Sequence, residues 1–321
     1  MELQRKIFNL KNEQEFEKVA LEVYSLQSKK KSVYNEYIQH LNIPIPTCLK
    51  EIPFLPISFF KTHDIVSSTA KVDVAFKSSG TNGQRSIHLI SDLKMYIKAF
   101  NLGYDEIIGY PENQVILALL PNYQEQGESS LIYMVDHLIK RTNNKLSGYF
   151  LSNFEDLIQA YNNAISQGKD VVIFGVSYAL LDLTELNPDL SKARIIETGG
   201  MKGRRKELTK QELHSALKKG LNTDFISSEY GMTELLSQAY SIDRGIFKAS
   251  PTMRVLIREV NDPFNYVEEG KTGGINVIDL ANINSCSFIS TQDLGRIVPE
   301  GFELMGRFDN SDIRGCNLLI Q

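Results

Sequence analysis

The sequence predicts an α/β fold, with a main body over residues 1–240 and a small β-rich subdomain over residues 241–321. Two observations carry this. Up to about Tyr240, short β-like apolar runs alternate with longer stretches of helical period. Beyond it the helical pattern fades and apolar runs are joined by tight turns.

Asn12 followed by Glu15 has the form of a capping box, and Phe16, Val19, Ala20, Val23 and Tyr24 then repeat at helical spacing. Residues 12–40 therefore read as one or two amphipathic helices. Pro44, Pro46, Pro53 and Pro56 interrupt that regime and mark an extended connector. Strands are expected at residues 72–76, 87–90, 115–120, 171–174, 194–197 and 223–226, and helices at 93–108, 154–167 and 210–219. In the last part, residues 254–260, 274–280, 286–290 and 302–305 read as strands.

Composition narrows the function classes. With 35 Lys and Arg against 39 Asp and Glu, the formal net charge is −4, without the basic surplus of a nucleic-acid binder. A hydrophobic content of 42% over 321 residues excludes a disordered chain and supports a sizeable core. Cys48, Cys286 and Cys316 are too widely spaced for a disulfide framework or a zinc site. The five histidines (His40, His63, His88, His137 and His214) also lack metal-ligand spacing. The N-terminus is not an apolar leader and no run is long enough to span a bilayer, so a cytoplasmic protein is expected.

Four segments carry chemistry. Lys77-Ser-Ser-Gly-Thr-Asn-Gly-Gln-Arg85 offers small residues whose N–H groups can curl around an anion, on what looks like a hairpin. A plain Asn82-Gly83 turn explains the same letters, and the Walker spacing is not met. Gly270-Lys271-Thr272 also fails that spacing, because position 265 is Asn, and reads as a turn between strands. Ser228-Glu-Tyr-Gly-Met-Thr-Glu234 places an aromatic beside glycine and an acid able to hold magnesium on a polyphosphate. Thr291-Gln-Asp-Leu-Gly-Arg296 offers Asp293 to a ribose diol, and Gly306-Arg-Phe-Asp309 closes the series.

In this order the four segments resemble the adenylate-forming superfamily of acyl-CoA synthetases, luciferases and peptide-synthetase adenylation domains. The resemblance implies an adenylate-forming N-terminal body that uses ATP and Mg²⁺. Ser78, Ser79, Gly80, Thr81 and Gly83 would cradle the phosphates, and Glu234 would handle the metal. Tyr230, beside Gly231, would pack on adenine, Asp293 would take the ribose hydroxyls, and Arg307 would reach ribose or phosphate. Glu197-Thr-Gly-Gly200 falls where that superfamily lays backbone against adenine, which points to Gly199 and Gly200. Two departures stand out. The hinge segment is one residue shorter than the usual pattern. The superfamily also places a small lysine-bearing domain after the hinge aspartate, here Asp309, and this sequence is expected to lack it.

Within the superfamily the chain looks like the acyl-protein synthetases of bacterial luminescence and their relatives near phenylacetate-CoA ligase. The run Ile52-Pro-Phe-Leu-Pro-Ile-Ser-Phe-Phe-Lys-Thr-His63 belongs to that likeness. It implies activation of a carboxylic acid, a fatty one by analogy, and transfer to a cysteine near the C-terminus, here Cys316. Arg314 would favour its thiolate. The alternative for Cys316 is a buried structural thiol. Structural roles are expected for Cys48 and Cys286, while His63 either borders an acyl pocket or is structural. Lys202, Arg204, Arg205 and Lys206 form a solvated loop or a contact for CoA phosphates or an acidic carrier. Three functions compete: an acyl-protein synthetase that passes the acyl group to Cys316 or onward to a partner enzyme, an acyl- or aryl-CoA or carrier-protein ligase or acyltransferase whose missing domain a partner supplies, and a non-catalytic nucleotide-binding subunit of an acyl-reductase complex. Intact Thr81, Glu234 and Asp293 argue against the last.

Overall fold

The computed structural model describes residues 2–66, 71–79, 84–121, 127–151, 153–199, 208–242 and 244–308. Their strands are β1 (Leu55–Pro56), β2 (Val74–Lys77), β3 (Ile87–Ile90), β4 (Gln114–Leu119), β5 (Gly148–Tyr149), β6 (Asp170–Val176), β7 (Ala193–Thr198), β8 (Ile226–Tyr230), β9 (Ala239–Ser241), β10 (Ile246–Ala249), β11 (Met253–Arg258), β12 (Gly273–Asp279), β13 (Phe288–Val298) and β14 (Gly301–Arg307). Their helices are α1 (Glu2–Ile7), α2 (Glu13–Gln27), α3 (Val33–Leu41), α4 (Phe59–Thr62), α5 (Leu93–Ile107), α6 (Ser130–Thr142), α7 (Phe154–Ser166), α8 (Ser177–Thr184) and α9 (Lys210–Gly220).

One sheet of order β11-β12-β13-β14-β10-β9-β8-β7-β6-β4-β5 organises the molecule, with β1 paired to β13. Strands β4 to β8 run parallel, and the apolar letters of β4 and β6 are nearly continuous because both faces are covered. At β8 the direction changes: β9 pairs antiparallel to it, and the later strands extend the same sheet. On one face Tyr104 of α5 meets Phe174 and Tyr240. On the other, α8 and α9 bring Ser177 and His214 to the ends of β7 and β8.

The N-terminal helices are tied to the far strands. Asn12 caps α2 by accepting from the Glu15 N–H at 2.9 Å, while the Glu15 carboxylate reaches back to the N–H of Lys11, not of Asn12. The expected box is thus displaced by one residue. Tyr24, Tyr34 and Phe54 gather around Phe288 of β13, and the Tyr34 hydroxyl donates to the Pro53 carbonyl at 2.7 Å, anchoring the proline connector.

Two expected strands are displaced. The strand read at 223–226 begins at Ile226 and runs on through Ser228, Glu229 and Tyr230. That read at 286–290 runs to Val298, through Thr291 to Arg296. In both, polar residues with buried partners occupy ladder positions, so apolar alternation ends before the strand does. The hairpin expected around the glycine loop is present: β2 and β3 pair antiparallel from Val74↔Ile90 to Lys77↔Ile87. Gly270-Lys271-Thr272 lies between β11 and β12, as a turn should. Among the described residues no helix is long and apolar enough to cross a membrane.

Candidate functional site

The C-terminal ends of parallel strands, where a sheet changes direction, are where open α/β proteins bind ligands. Here those ends are Thr198 of β7, with Gly199 just after it, and Glu229-Tyr230 of β8. Gly199 takes a φ of +71°, a left-handed turn that suits glycine. Gly231 serves for room: a Cβ there would lie 2.1 Å from Glu229 Oε1.

Asp293 on β13 and Arg307 on β14 are direct register partners. Asp293 Oδ1 receives Arg307 Nε at 3.0 Å, and Oδ2 receives the Tyr230 hydroxyl at 2.9 Å. The guanidinium is 71% exposed while Asp293 is nearly buried, so the arginine is the member facing outward. The ring of Tyr230 is 7% exposed and sits edge-on to Phe247 and Phe302, which leaves chiefly its hydroxyl to act. Burial pushes that phenol well above its ordinary range. Arg258 supports the strand from beneath, donating to the carbonyls of Ile275 and Thr291.

Glu234 follows β8 in a turn closed by Leu235 N–H on the Met232 carbonyl. It is 5% exposed, and burial raises its carboxyl above the usual range, with the Ser86 hydroxyl opposing and the charges of Arg307 and Asp293 in reach. The turn is fixed from below. His88 Nδ1 lies 2.8 Å from the Thr233 carbonyl, and Asn282 Nδ2 donates to the Glu234 carbonyl at 2.8 Å. Asp279 accepts from Leu236 N–H, Ser237 N–H and the Ser237 hydroxyl. Gln27 of α2 steadies the same floor, donating to the carbonyls of Asn282 and Ile283 and accepting from the Ser287 N–H.

At the mouth of the hairpin the Ser78 N–H donates to the Ser86 carbonyl and the Ser78 hydroxyl receives the Ser86 N–H, both at 3.0 Å. Lys77 pairs with Glu128 at 2.6 Å, and Ser79 is exposed. Gly80, Thr81, Gly83, Gly200, Asp309, Arg314 and Cys316 lie outside the described residues, as do Lys202, Arg204, Arg205 and Lys206. Cys286 is buried with its thiol pushed up to about 12 by burial, which fits a structural role. Cys48 is half-buried at the start of a short 3₁₀ turn. His63 is exposed, stacked on Phe59 and 2.7 Å from the Thr62 hydroxyl.

Sequence reasoning does not single out two carboxylates beside these residues. Glu197 contacts Lys210, accepts from Ser177 at 2.6 Å and from Ser228 at 3.1 Å, and lies 3.8 Å from His214 Nε2. Burial opposes its ionisation, yet His214, Lys210 and Ser177 outweigh it and hold the carboxyl at about 2. Ser228, His214 and Glu197 match a nucleophile triad in composition only. Serine and acid face the same ring nitrogen, and Ser228 is fully buried. Glu229, on the opposite face, accepts from Thr198 and is pushed up to about 7, chiefly by burial. Among the described residues there is no cluster of three or more His, Cys, Asp or Glu able to hold a metal.

Among solved structures, ATP-bound MatB from Rhodopseudomonas palustris resembles this chain with a TM-score of 0.56 at 16% identity, over 76% of this chain and 49% of that one. The luciferase-like enzyme of the Zophobas morio mealworm gives 0.52 at 18%, over 77% and 59%. Bacillus subtilis O-succinylbenzoate coenzyme A synthetase, in complex with ATP and magnesium ion, gives 0.51 at 20%, over 74% and 51%. At such identities the likeness establishes the fold, that of the N-terminal body of adenylate-forming enzymes, and the chain spans about half the length of the first and third of these proteins. A comparison with curated proteins finds no match. The family model for acyl-protein synthetase, LuxE, matches residues 6–321. The chain belongs to the LuxE acyl-protein synthetase family.

Proposed function

We propose that the protein is an ATP-dependent acyl-protein synthetase, a ligase forming a carbon–sulfur bond. The observation that carries this is the convergence of Tyr230, Asp293 and Arg307, with Glu234 in electrostatic reach. In this reading Asp293 takes the ribose hydroxyls and Arg307, the exposed cation, reaches ribose or phosphate. Gly199 and Gly200 would meet the adenine through their backbone, with Tyr230 and Gly231 beside it. Ser78, Ser79, Gly80, Thr81 and Gly83 hold the phosphates.

Glu234 fits a magnesium site: it is a buried carboxylate whose described surroundings supply a hydroxyl and no contacting cation. Mg²⁺ is commonly held by one or two carboxylates plus substrate phosphates, so a dedicated protein cage is not required. Bound there, it would neutralise phosphate charge. A carboxylate oxygen of the acid attacks the α-phosphorus, the bond to the bridging oxygen breaks, and pyrophosphate leaves. A thiolate then attacks the acyl carbonyl and AMP leaves, giving a thioester. The acceptor is Cys316 and the acid a long-chain fatty acid, both supported by the family likeness. An acyl reductase, acyltransferase or carrier protein would receive the acyl group next.

Carboxylate-dependent pyrophosphate–ATP exchange over a panel of acids tests the first half, and no exchange with any acid would refute it. Labelled fatty acid with ATP should leave hydroxylamine-labile label on the protein. Equal labelling of Cys316→Ser would remove Cys316 as acceptor, and thioester formed only on added CoA or carrier would replace protein by that thiol.

A further inference from the structure

The turn that carries Glu234 is gripped by two consecutive carbonyls. Thr233 O faces His88 on β3, and Glu234 O takes the amide of Asn282 from the segment after β12. His88 and Asn282 also touch each other, Nε2 to Oδ1 at 3.1 Å, so the three elements close a ring. His88, Asn282 and Glu234 are buried and Thr233 is half-buried, and Phe60 stands edge-on against the imidazole at 5.4 Å. His88 is the register partner of Phe76, one residue before the Lys77-Ser78 mouth of the hairpin. A displacement of the hairpin therefore moves the ring nitrogen that meets the Thr233 carbonyl.

We propose that His88 and Asn282 are positioning residues that fix Glu234 relative to the Lys77–Ser78 mouth of the β2–β3 hairpin, so that hairpin mouth and metal carboxylate keep one spacing. This rests on the reading of Glu234 as the magnesium carboxylate. Neither side chain contacts that carboxylate; both act through the backbone it hangs from. Partners of this kind commonly affect metal affinity or activity by about 10–100-fold.

The test measures the Mg²⁺ dependence of pyrophosphate–ATP exchange, alongside thermal melting, for Glu234→Gln, Asn282→Ser, His88→Ala, His88→Asn and the double variant Glu234→Gln/Asn282→Ser. Asn282→Ser and His88→Ala are expected to raise the Mg²⁺ half-saturation about tenfold. His88→Asn, which keeps a donor toward Thr233, should recover most of that loss. In the Glu234→Gln background Asn282→Ser should add less than about twofold, since its effect passes through the lost carboxylate. Full additivity, or loss that tracks melting temperature alone, overturns the proposal. If Glu234→Gln shifts the Mg²⁺ dependence while Asn282→Ser and His88→Ala do not, only the proposal falls. If Glu234→Gln itself shifts nothing, the metal reading falls and takes the proposal with it.

Discussion

The two faces of the sheet at β7 and β8 carry the same kind of group in opposite states. Glu197 and Glu229 stand on adjacent strands at the ends of the parallel sheet. Glu197 is held at about 2 because a lysine, a histidine and hydroxyls surround it. Glu229 is pushed up to about 7 by burial, which the Thr198 hydroxyl offsets only in part. Burial penalises both charges, so depth does not decide which acid ionises; the partners do.

Three substitutions break or sharpen that contrast. The largest effect is expected from Lys210→Met, which leaves Glu197 buried without its ammonium. It should destabilise the fold by about 2–3 kcal/mol at pH 7, below the fully buried range because Lys210 is partly solvated. Unchanged denaturant midpoints would show that Lys210 is not the counter-ion. Glu197 itself stabilises above its unfolded value of about 4.5, and that contribution is lost as pH falls toward about 2.

Glu229 has the opposite sign. Its folded value lies above the unfolded 4.5, so the native state keeps a proton the unfolded chain gives up. Stability due to this group falls as pH rises from about 4.5 to about 7. Glu229→Gln should flatten that slope and gain about 1–3 kcal/mol at pH 8. Unfolding curves with the wild-type slope would locate the proton elsewhere. Thr198→Val removes the donor to Glu229 and should cost about 1 kcal/mol. It should also move the Glu229 midpoint upward, readable by carboxyl NMR, and a downward move would contradict the assignment.

Much of the fold was legible because its signals are local. The capping at Asn12, the period of α5, α7 and α9, and the hairpin around residues 77–87 need no distant partner to be read. The apolar run from Val171 hid a boundary: β6 passes straight into α8, and a buried helix cannot be told from a buried strand by period. In the site, Tyr230, Asp293 and Arg307 were named through ordered motifs, and the structure brings them together. Thr198, Glu229, Asp279 and Asn282 were not. Each is a single polar letter whose meaning comes from a partner elsewhere; His88 and Asn282 are separated by 194 residues. No window of sequence contains such a pair.

The bonds from Gln27 to the floor under Glu234 also set a schedule for the nascent chain. Gln27 and Asn282 are 255 residues apart. At ~5–20 residues per second, α2 waits roughly 13–50 s for its partner to leave the ribosome. Through that interval the side-chain amide that will brace the turn carrying Glu234 is served by water. Parallel strands β4 to β8 can assemble earlier, so the floor under Glu234 is completed late, by a helix made before any of them.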